Sequence, residues 1–229
     1  MNEASSLFRH LIRTRPEGIF TNEKIPYIIA WLVSIVFHPL MMPTFMNGIV
    51  FKYCSDLVPL PRDAKIQILF FIFITTYLVP SLATGLLWVS GTISNISLEK
   101  RSERMIPLII TGLIYTGVSY VFLDYLQIAR LLGLFMGAIA LTVVITAVIT
   151  HFWKISSHMV GIGGLLGFII AVILKTHNMS LEWPLIGVII FSGAVASSRL
   201  LLGAHGFLQI ISGFFLGIAV SWSAVHFFV

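Results

Sequence analysis

Long apolar runs separated by short polar loops organise this chain. They cover approximately residues 27–51, 66–90, 106–123, 129–150, 159–174, 183–202 and 207–229. Each comes within about one turn of the ~20 residues that a helix needs to cross a ~30 Å hydrocarbon layer. The fifth run opens with Gly161, Gly163, Gly164 and Gly167, and the last holds Gly213 and Gly217. Small residues at such spacing predict helices that approach closely. Pro80, preceded by Thr75 and Thr76, predicts a kink in the second run.

The first run differs from the rest. It reads YIIAWLVSIVFHPLMMPTFMNGIVF, with His38-Pro39 and Pro43 in its middle. Each proline removes a backbone donor and disfavours helix for the residue before it. This predicts either a broken span or a re-entrant hairpin, with His38 capping the break. If all seven runs cross, Arg9, Arg13, Arg15, Lys24, Lys100, Arg101, Arg104, Lys154 and Arg199 share one face, against Lys52, Arg62, Lys65, Arg130 and Lys175. If the first run re-enters, Lys100, Arg101, Arg104, Lys154 and Arg199 stand alone on one face. The positive-inside tendency then makes that face non-cytoplasmic, and the re-entrant arrangement is the expected one for this reason. The expected fold is an all-α integral membrane bundle: six spanning helices plus a broken or re-entrant N-terminal segment. Residues 1–25 read as a polar, basic tail without a cleavable signal, and 26–229 as a single transmembrane domain.

Composition agrees with the pattern. Of the 229 residues, 58% are hydrophobic and 10% charged, where soluble domains carry about 45–50% and about 25%. Mean hydropathy is +0.99. The lone cysteine, Cys54, allows no internal disulfide and no cysteine-based zinc site. The net charge of +5 is scattered over loops and tails, which is the charge bias of a membrane protein rather than a nucleic-acid surface. There is no H-E-x-x-H, G-x-S-x-G or P-loop sequence, which argues against zinc proteases, α/β-hydrolases and ATPases.

Three polar clusters lie at the mouths of apolar runs: Glu99-Lys100-Arg101-Ser102-Glu103-Arg104, His151 to His158, and Ser197-Ser198-Arg199 with His205 and Gln209. Two runs separate each cluster from the next, so all three return to one membrane face. Cations, two histidines and serine hydroxyls around one point suit a phosphate: arginine forks onto its oxygens, and histidine supplies a nucleophile or a proton near neutral pH. His151 and Lys154 read as local loop residues.

Here the chain resembles the membrane-bound type-2 phosphatidic acid phosphatase superfamily. That family's third motif is S-R, five residues, H, three residues, D. This chain has Ser198-Arg199, LLLGA, His205, GFL and then Gln209. The second motif, P-S-G-H, is matched by Ile155-Ser156-Ser157-His158, which keeps serine and histidine but neither proline nor glycine. The first, K, six residues, R-P, is matched loosely by Lys100, Arg101, Arg104 and Pro107. The resemblance covers roughly residues 95–220. It implies a lipid phosphate or polyprenyl diphosphate substrate and no metal or other cofactor. It makes His205 the nucleophile that forms a phosphohistidine and His158 the acid for the leaving alcohol. Lys100, Arg101, Arg104, Ser156, Arg199 and backbone amides near Ser157 would hold the phosphoryl oxygens. Gln209 departs from the pattern. Four residues beyond His205, its carbonyl oxygen can set the imidazole tautomer but brings no negative charge, which leaves open a non-catalytic lipid-phosphate binder or transporter. The expected location is a bacterial inner membrane.

Overall fold

The computed structural model describes residues 24–98, 100–125 and 130–229. The N-terminal tail through residue 23, with Arg9, Arg13 and Arg15, lies outside the described residues, as does Glu99. The described chain is helical, and no strand occurs among the described residues. Its helices are α1 (Ile25–Val36), α2 (Met42–Tyr53), α3 (Arg62–Phe73), α4 (Val79–Val89), α5 (Met105–Tyr120), α6 (Arg130–Phe152), α7 (Ser157–Thr176), α8 (Glu182–Leu201) and α9 (Phe207–Phe228). Joined across short irregular turns, they make seven helices long and apolar enough to cross a membrane. Each coincides, within a few residues, with one apolar run. This is an all-α integral membrane protein.

The first run is broken and passes through; it does not re-enter. α1 ends at Val36, a short 3-10 turn spans Pro39–Met41, and α2 continues. Arg199, near the end of α8, donates to the Ser34 hydroxyl at 3.2 Å, while Phe37 lies 4.5 Å from Phe191, two turns earlier in α8. α1 therefore runs antiparallel to α8, away from the site end. Tyr53 finishes at the opposite end, where its carbonyl accepts from Asn178 Nδ2 at 2.7 Å, just beyond the C-terminus of α7. With both ends of the run on opposite faces, the charge argument for a non-cytoplasmic site loses its premise.

Pro80 distorts the second run as its sequence predicts. The helix widens to a π turn over Ile74–Leu78 before α4 resumes. Proline has no N–H for the carbonyl four residues back, and that carbonyl, on buried Thr76, accepts instead from the Tyr115 hydroxyl at 3.0 Å.

α7 is the most enclosed helix, with buried residues on every side from Met159 to Val172, as suits a helix that is apolar all round. Its tightest partner is α9. Where they meet, a Cβ on Gly167 would lie 2.6 Å from the Ile218 carbonyl oxygen, and one on Gly213 would lie 2.7 Å from that of Ser156. Gly163 and Gly217 leave still less room. The two backbones touch only because these positions carry no side chain. That contact fixes the N-terminus of α7, with Ser156–His158, beside the N-terminus of α9, with His205–Gln209.

Candidate active site

A cavity of about 490 Å³ opens at this end of the bundle. Arg104, Ser157, His158, Arg199 and His205 line it, and Met42, Met46, Leu108, Val143 and Leu165 extend its wall into the apolar interior. The three clusters do converge, each through a different local device.

Arg104 ends a 3-10 turn over Arg101–Arg104 and is buried. Its Nε donates to the Leu98 carbonyl at 2.8 Å and its Nη1 to that of Ile155 at 3.3 Å, tying the first cluster to the second. Leu98 presents that carbonyl from a left-handed conformation, φ 49°, which costs an ordinary L-residue about 1–2 kcal/mol. Lys100 and Arg101 are not brought to the cavity. Exposed Lys100 pairs with Glu103 at 3.1 Å, Glu103 also accepts from the Ser94 backbone and hydroxyl, and Arg101 donates to the Phe152 carbonyl. They brace the loop that carries Arg104.

Ser156 is fully buried behind the cavity wall, and its N–H donates to the Gln209 carbonyl at 3.2 Å. Its hydroxyl is buried with no partner among the described residues. Ser157 begins α7, so the free N–H groups of that first turn, and the positive end of the helix, sit at the cavity. His158, one residue further, donates from Nε2 to the Ser34 carbonyl at 3.1 Å.

Arg199 and His205 flank the turn between α8 and α9. Besides its bond to Ser34, Arg199 has a buried Nε without a partner. The guanidinium donors of Arg104 and Arg199 go to carbonyls and a hydroxyl; neither has a carboxylate partner among the described residues. His205 Nδ1 lies 3.2 Å from Gln209 Oε1, an atom that also accepts from the Gly206 N–H at 3.2 Å. An amide oxygen can only accept, so Nδ1 carries the proton and Nε2 keeps its lone pair. Burial, then the charges of Arg104, Arg199 and Lys154, push the His205 pKa down from 6.5 to about 3, against the raising effect of the Gln209 bond. His205 is therefore a neutral imidazole with a free Nε2 among three cations.

Two neighbours of the site escape a reading by motif. Ser34 is a buried serine in an apolar run and touches both Arg199 and His158. His38 caps its turn as expected, its Nδ1 accepting from the Leu40 N–H at 3.3 Å, yet its ring also stands 5.5 Å from that of His158. The helix break at His38-Pro39 was their only advance signal. Compared with known proteins, the chain matches no family model, no curated protein and no solved structure.

Proposed function

We propose that this chain is a membrane phosphatase that removes phosphate from a lipid phosphate or polyprenyl diphosphate through a phosphohistidine on His205. One observation carries this reading: Arg104, His158, Arg199 and His205, from distant parts of the sequence, line the polar end of a cavity whose remaining wall is largely apolar. Such a shape accepts a phosphate head with a hydrocarbon chain beneath it.

The neutral Nε2 of His205 attacks phosphorus as the bond to the lipid oxygen breaks. His158, which takes up a second proton at Nδ1 when the anionic head group binds, gives that proton to the departing oxygen. Water then attacks the phosphohistidine, passes a proton to His158 and releases inorganic phosphate, which restores both rings. Phosphoryl transfer needs little beyond positioning and charge stabilisation; Arg104, Arg199 and the N-terminus of α7 supply the charge. Gln209 holds the Nδ1 proton in place, the tautomer-setting part of an orienting residue. Lys100 and Arg101 act on the loop rather than on the phosphate.

The proposed location is a bacterial inner membrane. With the first run passing through, Lys24, Lys100, Arg101, Arg104, Lys154 and Arg199 share the site end of the bundle against Lys52, Arg62, Lys65, Arg130 and Lys175 at the far end, so the positive-inside tendency gives no ground for an outward-facing site.

The test is phosphate release by purified protein from phosphatidic acid, phosphatidylglycerol phosphate and undecaprenyl diphosphate. The proposal expects release from at least one and none from His205→Ala. Activity untouched by that substitution would end it. Gln209 in place of an acid favours a second reading, a binder of lipid phosphates without turnover, which predicts binding but no release by the wild-type chain.

A further inference from the structure

The break in the first helix frees one backbone carbonyl, and its new partner is the proposed acid. In an unbroken helix, the Ser34 carbonyl would accept from the N–H of residue 38 and the Ile35 carbonyl from that of residue 39. Residue 39 is proline and has no N–H. The His38 N–H turns instead to the Ile35 carbonyl, at 3.2 Å. The Ser34 carbonyl is left to accept from His158 Nε2 at 3.1 Å. The Ser34 side chain is engaged as well: its hydroxyl donates to the Ala30 carbonyl at 2.9 Å and accepts from Arg199 Nη1 at 3.2 Å. One buried residue outside every cluster thus holds two groups of the cavity wall.

From this we infer that Ser34 is a positioning residue for the site, and that the His38-Pro39 break exists to make it one. A carbonyl can only accept, so its bond to Nε2 fixes His158 as the Nε2–H tautomer and leaves Nδ1 as the nitrogen that exchanges protons at the phosphate. An imidazole whose second nitrogen is tied to a fixed acceptor is set in both tautomer and orientation. The hydroxyl does the same for Arg199, whose long side chain would otherwise have to be ordered by the ligand at its own entropic cost. The role of His158 here rests on the phosphatase reading; the hydrogen bond and its tautomer do not.

The test uses the full chain in detergent micelles with heavy-nitrogen-labelled histidine, the His158 signals being those lost in His158→Gln. Wild type is expected to show His158 protonated at Nε2 and bare at Nδ1. Pro39→Ala restores an N–H, lets the His38 N–H compete for the Ser34 carbonyl, and is expected to mix the two tautomers. A wild-type His158 protonated at Nδ1 overturns the inference, and so does a Pro39→Ala protein with unchanged His158 signals. If Pro39→Ala does not fold, the wild-type tautomer alone decides. A second arm titrates inorganic phosphate. Ser34→Ala is expected to weaken its binding about tenfold, the effect of one hydrogen bond to a charged group, with Ser34→Thr restoring it. Equal binding by wild type and Ser34→Ala overturns the Arg199 half. A wild-type chain that neither binds nor releases phosphate ends the phosphatase reading, and the tautomer measurement still decides the role of Ser34.

Discussion

Two proline breaks in neighbouring spans make the same backbone defect and resolve it in opposite ways. In the second span, Pro80 leaves the Thr76 carbonyl without its helical donor, and the Tyr115 hydroxyl donates to it at 3.0 Å. In the first span, Pro39 displaces the bonding by one residue, and His158 takes up the Ser34 carbonyl at 3.1 Å. A buried carbonyl without a donor costs about 1–3 kcal/mol, so both had to be satisfied. Tyr115 is almost wholly buried and also lines the cavity, but its hydroxyl bonds the Thr76 carbonyl and none of the four site residues; there the repair is structural. His158 lines the cavity, and the repair also sets the chemistry of a ring at the site. A proline in a spanning helix thus tells where a carbonyl is released, and the donor that takes it up tells whether the release is used.

Substitutions separate the two cases. The largest effect is expected from His158→Ala, which should cut phosphate release by about 10²–10⁴-fold, the range for a lost general acid. Its melting temperature should move little, because water in the cavity can reach the Ser34 carbonyl. Gln209→Met keeps length but removes the oxygen that holds the His205 Nδ1 proton, and a wrong tautomer costs up to about ten-thousandfold in an analogous system. Turnover should fall while phosphate affinity stays near that of wild type; an unchanged turnover would mean that Gln209 sets no tautomer. Tyr115→Phe should show the reverse pattern: a stability loss of about 1–3 kcal/mol, read as a lower melting temperature, with turnover of the folded protein preserved. A loss of turnover there without destabilisation would break the distinction between the two prolines.

The broadest effect, absent at neutral pH, is on the pH dependence of stability. His205 takes up a proton near 6.5 when exposed but only near 3 in the fold. As pH falls from about 6.5 towards 3, the unfolded chain gains a proton that the folded one does not, so stability declines over this window and His205 adds nothing to the loss above it. His205→Gln should flatten the acid side of the melting-temperature profile. A profile identical to wild type would show that His205 is not held neutral.

The spans were legible because hydropathy is a local property: all seven lie within a few residues of their apolar runs, and a distortion of the helix near Pro80, seen as the π turn over Ile74–Leu78, followed from its missing donor. The convergence of Arg104, His158, Arg199 and His205 was legible from parity alone, since two crossings return the chain to the same face. The path of the first run was not. Prolines at 39 and 43 look the same in a broken span and in a hairpin, and only tertiary bonds, Asn178 to Tyr53 and Arg199 to Ser34, distinguish them. Lys100 and Arg101 resembled Arg104 in charge but not in position: Lys100 pairs with Glu103, Arg101 donates to the Phe152 carbonyl, and of the four residues of the turn Arg104 is the one buried. Leu98 acts through a carbonyl oxygen, which every residue has, and Ser34 through its carbonyl and a hydroxyl that lies outside every polar cluster of the sequence, so no motif announced them.

The proposed chemistry turns on a covalent bond between His205 and phosphorus. The direct measurement is a rapid acid-free quench of the purified protein turning over a radiolabelled lipid phosphate or polyprenyl diphosphate, followed by mapping of the bound label. An alkali-stable, acid-labile phosphate is expected on His205 of the wild-type chain, absent from His205→Ala and accumulating when His158 is replaced by alanine and a substrate with a good leaving group is used. Phosphate release that proceeds at the wild-type rate in His205→Ala, or label found on another residue, would contradict it.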